Sequence, residues 1–207
     1  MIKNLIFDFG KVLVDYDFGA VIHEFFPEGD EAREKEFISI ATRQEFLDAC
    51  DREAIPFNEI IEGVKKDFPA YAREFQMFYD RYQDYVIGEM PQMRQTLTDL
   101  KARGFKLYGL TNWCSPVYQV MERFHEIFDL LDDRIISSEE KLIKPEAAIY
   151  ERLLGKFGLE ASECVFADDK EINIRGAEAV GIRGIVFRDY AQYLRELNAI
   201  CEECGGL

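Results

Sequence analysis

Four groups of reactive residues stand at or just after short apolar segments of the chain. In chain order they are Asp8, Thr111-Asn112, Lys144-Pro145 and Asp168-Asp169. Adjacent carboxylates that face a third one repel each other unless a cation joins them, and a few hard oxygen ligands suit Mg²⁺, which keeps water and phosphate oxygens in its shell. A carboxylate beside that ion can act as a nucleophile. A lysine and a threonine can then hold the oxygens of a transferring phosphoryl group.

Five apolar segments predict the strands that must position these groups. The segments are residues 3–9, 106–111, 134–137, 164–167 and 184–187. Helices are predicted between them at residues 91–103, 145–157 and 174–180, where apolar residues recur at helical spacing and a glycine follows the end. This alternation predicts a doubly wound parallel α/β sheet. Such sheets bind ligands beyond the carboxyl ends of their strands, which is where the four groups would converge.

The region between the first strand and residue 88 has a different character. It contains many helix formers and aromatic residues, and Phe75, Phe78, Tyr79 and Tyr82 would share one face of a helix. We expect no strand there, and we interpret residues 87–89 as the linker that returns to the sheet. The predicted domains are an α/β core of residues 1–15 and 88–207 and an inserted helical cap of residues 16–87.

The composition limits the partners of the protein. The formal net charge of −15 argues against nucleic acid as the principal partner, and we expect none, because the surface would repel phosphate backbones. No apolar segment is long enough to span a membrane, and the first ten residues lack the pattern of a signal peptide. Five scattered cysteines suit reduced thiols, so we expect a cytoplasmic location. Composition does not indicate an oligomeric state.

Taken together, the four groups resemble the motifs of the haloacid dehalogenase-like (HAD) hydrolases. The matching segments are FDFGKVLVD at 7–15, LTNW at 110–113, KP at 144–145 and FADD at 166–169. The resemblance spans the whole chain and includes residues 168–181. It implies a Rossmann-like HAD core with a helical cap of the C1 type. The match looks closest to small capped bacterial phosphatases that act on sugar phosphates such as glucose 1-phosphate.

The resemblance implies a role for each matching residue. Asp8 would be the nucleophile that forms a phosphoaspartyl intermediate. Thr111 and Asn112 would bind phosphoryl oxygens, and Lys144 would stabilise the charge between Asp8 and the phosphoryl group. The Mg²⁺ ligands would be Asp8, the main-chain carbonyl of Gly10, Asp169, and Asp168 either directly or through water. The implied activity is Mg²⁺-dependent hydrolysis of a small phosphorylated metabolite, with a sugar phosphate favoured.

Gly10 departs from the family pattern. Most phosphatases of the family carry an aspartate at this position as general acid and base, a role worth ~10²–10⁴ in rate. Without it, esters with stable leaving oxyanions, such as sugar 1-phosphates and aryl phosphates, should react faster than alkyl monoesters. That expectation fails if Asp15, Asp17 or a cap side chain supplies the proton.

Two other functions remain open. A 2-haloacid dehalogenase-like hydrolase is compatible with Gly10 and with Trp113, but it needs no metal. The Asp168-Asp169 pair therefore argues against it, because bare carboxylates would raise the pKa of Asp8 and weaken the nucleophile. A non-hydrolytic phosphate-binding or regulatory protein could share every motif.

Overall fold

The computed structural model describes residues 1–204, and seven strands lie within them. They are β1 (Asn4–Phe7), β2 (Val14–Tyr16), β3 (Val86–Glu89), β4 (Lys106–Thr111), β5 (Asp133–Ile136), β6 (Cys164–Asp168) and β7 (Arg183–Val186). Five of these strands form a parallel sheet in the order β5-β4-β1-β6-β7. The predicted doubly wound α/β architecture is confirmed. The central strand β1 is buried along its whole length, as its continuous apolar sequence predicts.

Helices α1 to α5 belong to the inserted region, and α6 to α12 accompany the sheet. The first five are α1 (Phe18–His23), α2 (Glu31–Ala41), α3 (Gln44–Arg52), α4 (Phe57–Asp67) and α5 (Ala72–Asp80). The others are α6 (Met93–Ala102), α7 (Val117–Arg123), α8 (His125–Phe128), α9 (Ser137–Glu140), α10 (Ala147–Phe157), α11 (Glu171–Ala179) and α12 (Tyr190–Glu203). No helix within residues 1–204 has both the length and the apolar character needed to cross a membrane.

The predicted helix signals mark these elements to within a few residues. Gly158 ends α10 in the left-handed conformation that favours glycine, with a φ of 64°. Helices α6 and α10 begin two residues after Pro91 and Pro145, the prolines predicted to open them. Helix α11 begins three residues earlier than predicted, at Glu171.

The expectation of no strand beside the linker was wrong. Strand β3 occupies the segment interpreted as a linker and pairs antiparallel with β2, so two adjacent strands carry the chain into and out of the cap. The predicted boundaries at 15/16 and 87/88 therefore fall inside this ribbon. Both strands are short and mixed in polarity, so pairing through main-chain hydrogen bonds, and not an apolar sequence, defines them.

Aromatic side chains form the interior of the cap. Phe37 lies at the centre, with its ring 4.9 Å from that of Phe75. Of the four residues predicted to share a helical face, Phe75 and Phe78 are buried, whereas Tyr79 is 37% exposed and lies at the edge of the bundle. Tyr82 belongs to a 3₁₀ turn after α5 and lines the cleft towards the sheet.

Candidate active site

The carboxyl ends of β1, β4 and β6 place the predicted site residues at one edge of the sheet. Asp8 directly follows β1, Thr111 is the last residue of β4, and Asp168 is the last residue of β6. A cavity of about 540 Å³ lies between this edge and the cap. The predicted residues that line it are Asp8, Gly10, Thr111, Asn112, Lys144 and Asp169. Asp168 has no exposed surface and lies beneath the cavity wall.

Lys144 joins the two buried carboxylates. Its Nζ lies 2.8 Å from Asp8 Oδ1 and 2.7 Å from Asp168 Oδ2, and it also donates to the Leu110 carbonyl at 3.0 Å. Burial disfavours the charged ammonium, but the attraction of Asp168 and Asp8 outweighs this cost and raises the pKa of Lys144. The lysine is therefore a fixed cation at the floor of the cavity.

Asp8 has one engaged oxygen and one open oxygen. Its Oδ1 accepts hydrogen bonds from Lys144 and from the main-chain N–H of Phe9 at 2.8 Å. Within residues 1–204, its Oδ2 has no hydrogen-bond donor. Burial raises the pKa of Asp8 to about 7, Lys144 opposes the shift, and Asp168 and Asp169 add to it. A cation beside the open oxygen would favour the ionised, nucleophilic form.

Asp168 is held by more partners than its position in a motif suggests. Its Oδ1 accepts from the main-chain N–H of Lys170 at 2.8 Å, and both of its oxygens lie 3.0 Å from Asn173 Nδ2. With Lys144 on Oδ2, this carboxylate fixes the lysine in place. Asn173 was missed at the sequence level, although it lies inside the segment 168–181 that resembles the family.

Three carboxylates could share a metal ion. One oxygen from each of Asp8, Asp168 and Asp169 lies within 4.8 Å of the others. Burial, followed by repulsion from Asp168, raises the pKa of Asp169. A purely oxygen donor set with surplus negative charge suits a hard divalent cation, so these residues fit Mg²⁺. Gly10 lines the same cavity, where its carbonyl could add a ligand.

The Asn112 side chain holds Lys144. Its Oδ1 accepts from the Lys144 main-chain N–H at 2.8 Å, and its Nδ2 donates to the Lys144 carbonyl at 3.0 Å. Asn112 was expected to bind phosphoryl oxygens, but this amide is engaged by the lysine main chain. Asn112 and the buried Thr111 both line the cavity.

The Tyr16 ring fills the space beside Gly10. A Cβ atom on Gly10 would lie 2.8 Å from Tyr16 Cε1, closer than carbon atoms can approach. Burial and the nearby carboxylates, Asp169 first among them, raise the pKa of Tyr16 to about 12, so its hydroxyl stays protonated. An acidic side chain at position 10 would have to displace this ring.

The C-terminal end of α3 is bound to the core next to the cavity. Ser137 Oγ donates to the Asp51 carbonyl at 2.5 Å and accepts from the Trp113 N–H at 2.9 Å. The carboxylate of Glu53, which follows the helix in a left-handed conformation, accepts from the Ser115 N–H at 2.6 Å.

Further contacts at this junction involve charged and thiol groups. The Nζ of Lys141 donates to the Glu53 carbonyl and so joins core to cap. One buried thiol comes from each side, Cys50 from the cap and Cys114 from the core.

The remaining acidic candidates divide into two kinds. Asp15 pairs with Lys11 at 2.5 Å, and Asp17 caps α1 by accepting from the Ala20 N–H at 3.0 Å, so both are structural. Asp51, on α3, lines the cavity and was not singled out from the sequence. Only its position in the fold distinguishes it from the many other acidic residues of the chain.

Comparison with known proteins identifies the family. The model of the haloacid dehalogenase-like hydrolases matches residues 2–181. The chain belongs to this family. The resemblance stated from the four motifs is thereby confirmed, and the protein is a HAD-like hydrolase.

Individual relatives of this HAD-like hydrolase include phosphatases. A sesquiterpene phosphatase of Aspergillus oryzae is 32% identical over 53% of this chain and 56% of its own length, so the chain spans little more than half of that relative. A D-ribitol-5-phosphate phosphatase of Bacteroides thetaiotaomicron is 24% identical over 97% of this chain and 98% of its own.

A solved structure shares the fold over most of the chain. A HAD family enzyme of Bacteroides thetaiotaomicron, in complex with magnesium and inorganic phosphate, superposes with a TM-score of 0.75 at 21% identity. The match covers 94% of this chain and 100% of the other. The HAD fold with its helical cap is therefore common to the two proteins.

Proposed function

We propose that this HAD-like hydrolase is a Mg²⁺-dependent phosphomonoesterase that acts through a phosphoaspartyl intermediate on Asp8. One observation carries the proposal. Lys144 holds one oxygen of Asp8, the other oxygen is open, and Asp169 lies within the same potential metal site. A nucleophile, a fixed cation and a hard-metal site then adjoin one cavity, as transfer of a phosphoryl group requires.

The residues that would hold Mg²⁺ are Asp8, the Gly10 carbonyl, Asp169, and Asp168 directly or through water. When bound, the ion supplies positive charge that offsets the carboxylates and draws in the phosphoryl oxygens. The magnesium and phosphate of the Bacteroides structure support this assignment. The phosphatases among the relatives support the ester class.

The protein's own groups have separate roles in the proposed reaction. The open oxygen of Asp8 attacks phosphorus, and the bond to the leaving oxygen breaks. Lys144 balances the charge that develops on the phosphoryl oxygens, while Thr111 binds one of those oxygens through its hydroxyl. Asn112 acts through Lys144, because its amide fixes the lysine main chain.

The cavity supports a hydroxylated leaving group. Its cap side is largely aromatic, with Tyr16, Phe18 and Tyr82 among the lining residues. Aromatic faces beside the polar residues of the same cavity suit the ring and hydroxyl groups of a sugar phosphate.

The test is phosphate release from a panel of sugar, alkyl and aryl phosphates, with Mg²⁺ and with excess EDTA. We expect activity that chelation abolishes and Mg²⁺ restores. Asp8→Asn keeps the shape of the side chain but removes the nucleophile, so turnover should fall by roughly 10³-fold or more. The variant's circular dichroism spectrum serves as the control for folding.

The alternatives give different results in the same assay. Halide release from a 2-haloacid that persists in EDTA would replace the phosphatase with a dehalogenase. Tight binding of inorganic phosphate without turnover of any ester would indicate a binding protein.

A further inference from the structure

We propose that Asp51, on cap helix α3, is the general acid and base for the reaction at Asp8. This inference rests on the proposed phosphatase activity and adds the proton carrier that Gly10 cannot provide. A carboxyl group from the cap would thus complete a site whose nucleophile, lysine and metal ligands all come from the core.

The fold fixes Asp51 at the cavity. Asp51, on the cap helix α3, and Asp8, at the end of β1, line the same cavity. Ser137 Oγ hydrogen-bonds both the Asp51 carbonyl and the Trp113 N–H, and so holds the main chain of Asp51 against the core. A main-chain hydrogen bond therefore keeps Asp51 at the cavity and leaves its carboxylate free to exchange a proton.

Other carboxylates of the cavity wall are already engaged. Asp48 accepts from Gln44 Nε2 at 2.6 Å, and Glu146 pairs with Arg52 at 2.5 Å. Asp8 and Asp169 belong to the lysine and metal site. Within residues 1–204, the carboxylate of Asp51 has neither a hydrogen bond nor an ion pair.

The surroundings of Asp51 suit proton exchange near neutral pH. Burial raises its pKa to about 6, Lys170 and Lys144 reduce the shift, and Asp48 adds to it. A catalytic acid works best when its pKa lies close to the operating pH. The titratable groups that interact with Asp51 from the surrounding elements are Asp48, Cys50, Lys144, Lys170, Tyr16, Tyr82 and Cys114.

Asp51 gives up a proton in the first half-reaction and regains one in the second. As Asp8 attacks, the electron pair of the breaking P–O bond moves to the leaving oxygen, which takes the proton of Asp51. The product alcohol departs, and Asp51 is left as a carboxylate. In the second half-reaction Asp51 accepts a proton from the water that attacks phosphorus. The P–O bond to Asp8 breaks, phosphate forms, and both carboxyl groups return to their starting states.

The experiment compares Asp51→Asn with Asp48→Asn, a matched change one helical turn earlier on α3 that also faces the cavity. Each protein is assayed with Mg²⁺ on aryl phosphates of graded leaving-group acidity and on one alkyl phosphate. Asp51→Asn should lower kcat/KM for the alkyl ester by ~10²–10⁴-fold and for 4-nitrophenyl phosphate only slightly, because a stable phenolate needs little protonation. Asp48→Asn removes a charge that raises the pKa of Asp51, so it should keep the shallow leaving-group dependence of the parent while its pH limb moves to lower pH.

Two further measurements separate a proton carrier from a structural residue. In the parent, kcat/KM for the alkyl ester should fall as the pH rises above 6, since Asp51 loses its proton, and Asp51→Asn should lack this limb. Asp51→Glu should recover part of the lost rate. An equal loss for every ester, or no loss for any, would overturn the role of Asp51. A parent that hydrolyses no phosphate ester would instead overturn the proposed function itself.

Discussion

At the residue scale, Asn112 shows how one side chain can position another. Both ends of its amide bind the main chain of Lys144, and that lysine contacts Asp8. This amide therefore fixes the main chain of Lys144, while the carboxylates fix its ammonium group. A change at Asn112 should act on the reaction through the lysine.

We expect Asn112→Ala to lower both stability and turnover. It leaves two polar main-chain groups of a buried residue unpaired, and each such group costs about 1–3 kcal/mol of unfolding free energy. Asn112→Asp keeps the acceptor for the Lys144 N–H and loses only the donor, so its effect should be smaller. Thermal unfolding and kcat on one aryl phosphate measure both effects. An alanine variant with the parent kcat would refute the positioning role.

At the element scale, the link between α3 and the core depends on contacts of unequal strength. Ser137 is fully buried and bridges two main-chain groups. Arg52 reaches Glu146 across the surface, and its side chain is 33% exposed. Buried hydrogen bonds that lose a partner cost more than exposed ion pairs, which contribute about 0–1 kcal/mol.

Ser137→Ala should therefore destabilise the protein by about 1–3 kcal/mol, whereas Arg52→Ala should have a much smaller effect. Only the serine change should also reduce hydrolysis of the alkyl ester, because it frees the carbonyl of Asp51. Denaturant titrations of both variants, together with the leaving-group assay, test this order. Equal destabilisation by the two changes would contradict it.

The sequence predicted the parallel sheet better than it predicted the contact between α3 and the core. Continuous apolar segments such as residues 164–167 identify buried strands on local evidence, and Asp8 and Asp168 could be placed because they follow such segments. Asp51 and Ser137 are ordinary polar residues separated by 86 positions, and nothing local indicates that they pair. The same reason explains why β2 and β3 were missed.

At the scale of the whole molecule, the charge of −15 opposes the binding of an anionic substrate. Salt should weaken this repulsion, since the screening length falls from about 30 Å at 0.01 M to about 10 Å at 0.1 M ionic strength. At constant Mg²⁺, kcat/KM should rise with KCl over this range.

The increase should be greater for a phosphorylated carboxylic acid than for a phosphate ester of a neutral alcohol, because the acid carries the larger negative charge. Steady-state kinetics on the two substrates measure the difference. A decrease with salt would mean that Lys144 and Lys170 control the approach of the substrate.

The buried thiols where α3 meets the core provide a measure of how often the cap opens. Cys50 and Cys114 lie on opposite sides of that junction, and burial raises the pKa of both. While the cap is docked, neither thiol can form the exposed thiolate that an alkylating reagent needs. Their alkylation rate, relative to that of the half-buried Cys204, therefore reports how often the cap separates from the core. Cap opening can therefore be measured on the native protein by cysteine alkylation, without an added probe.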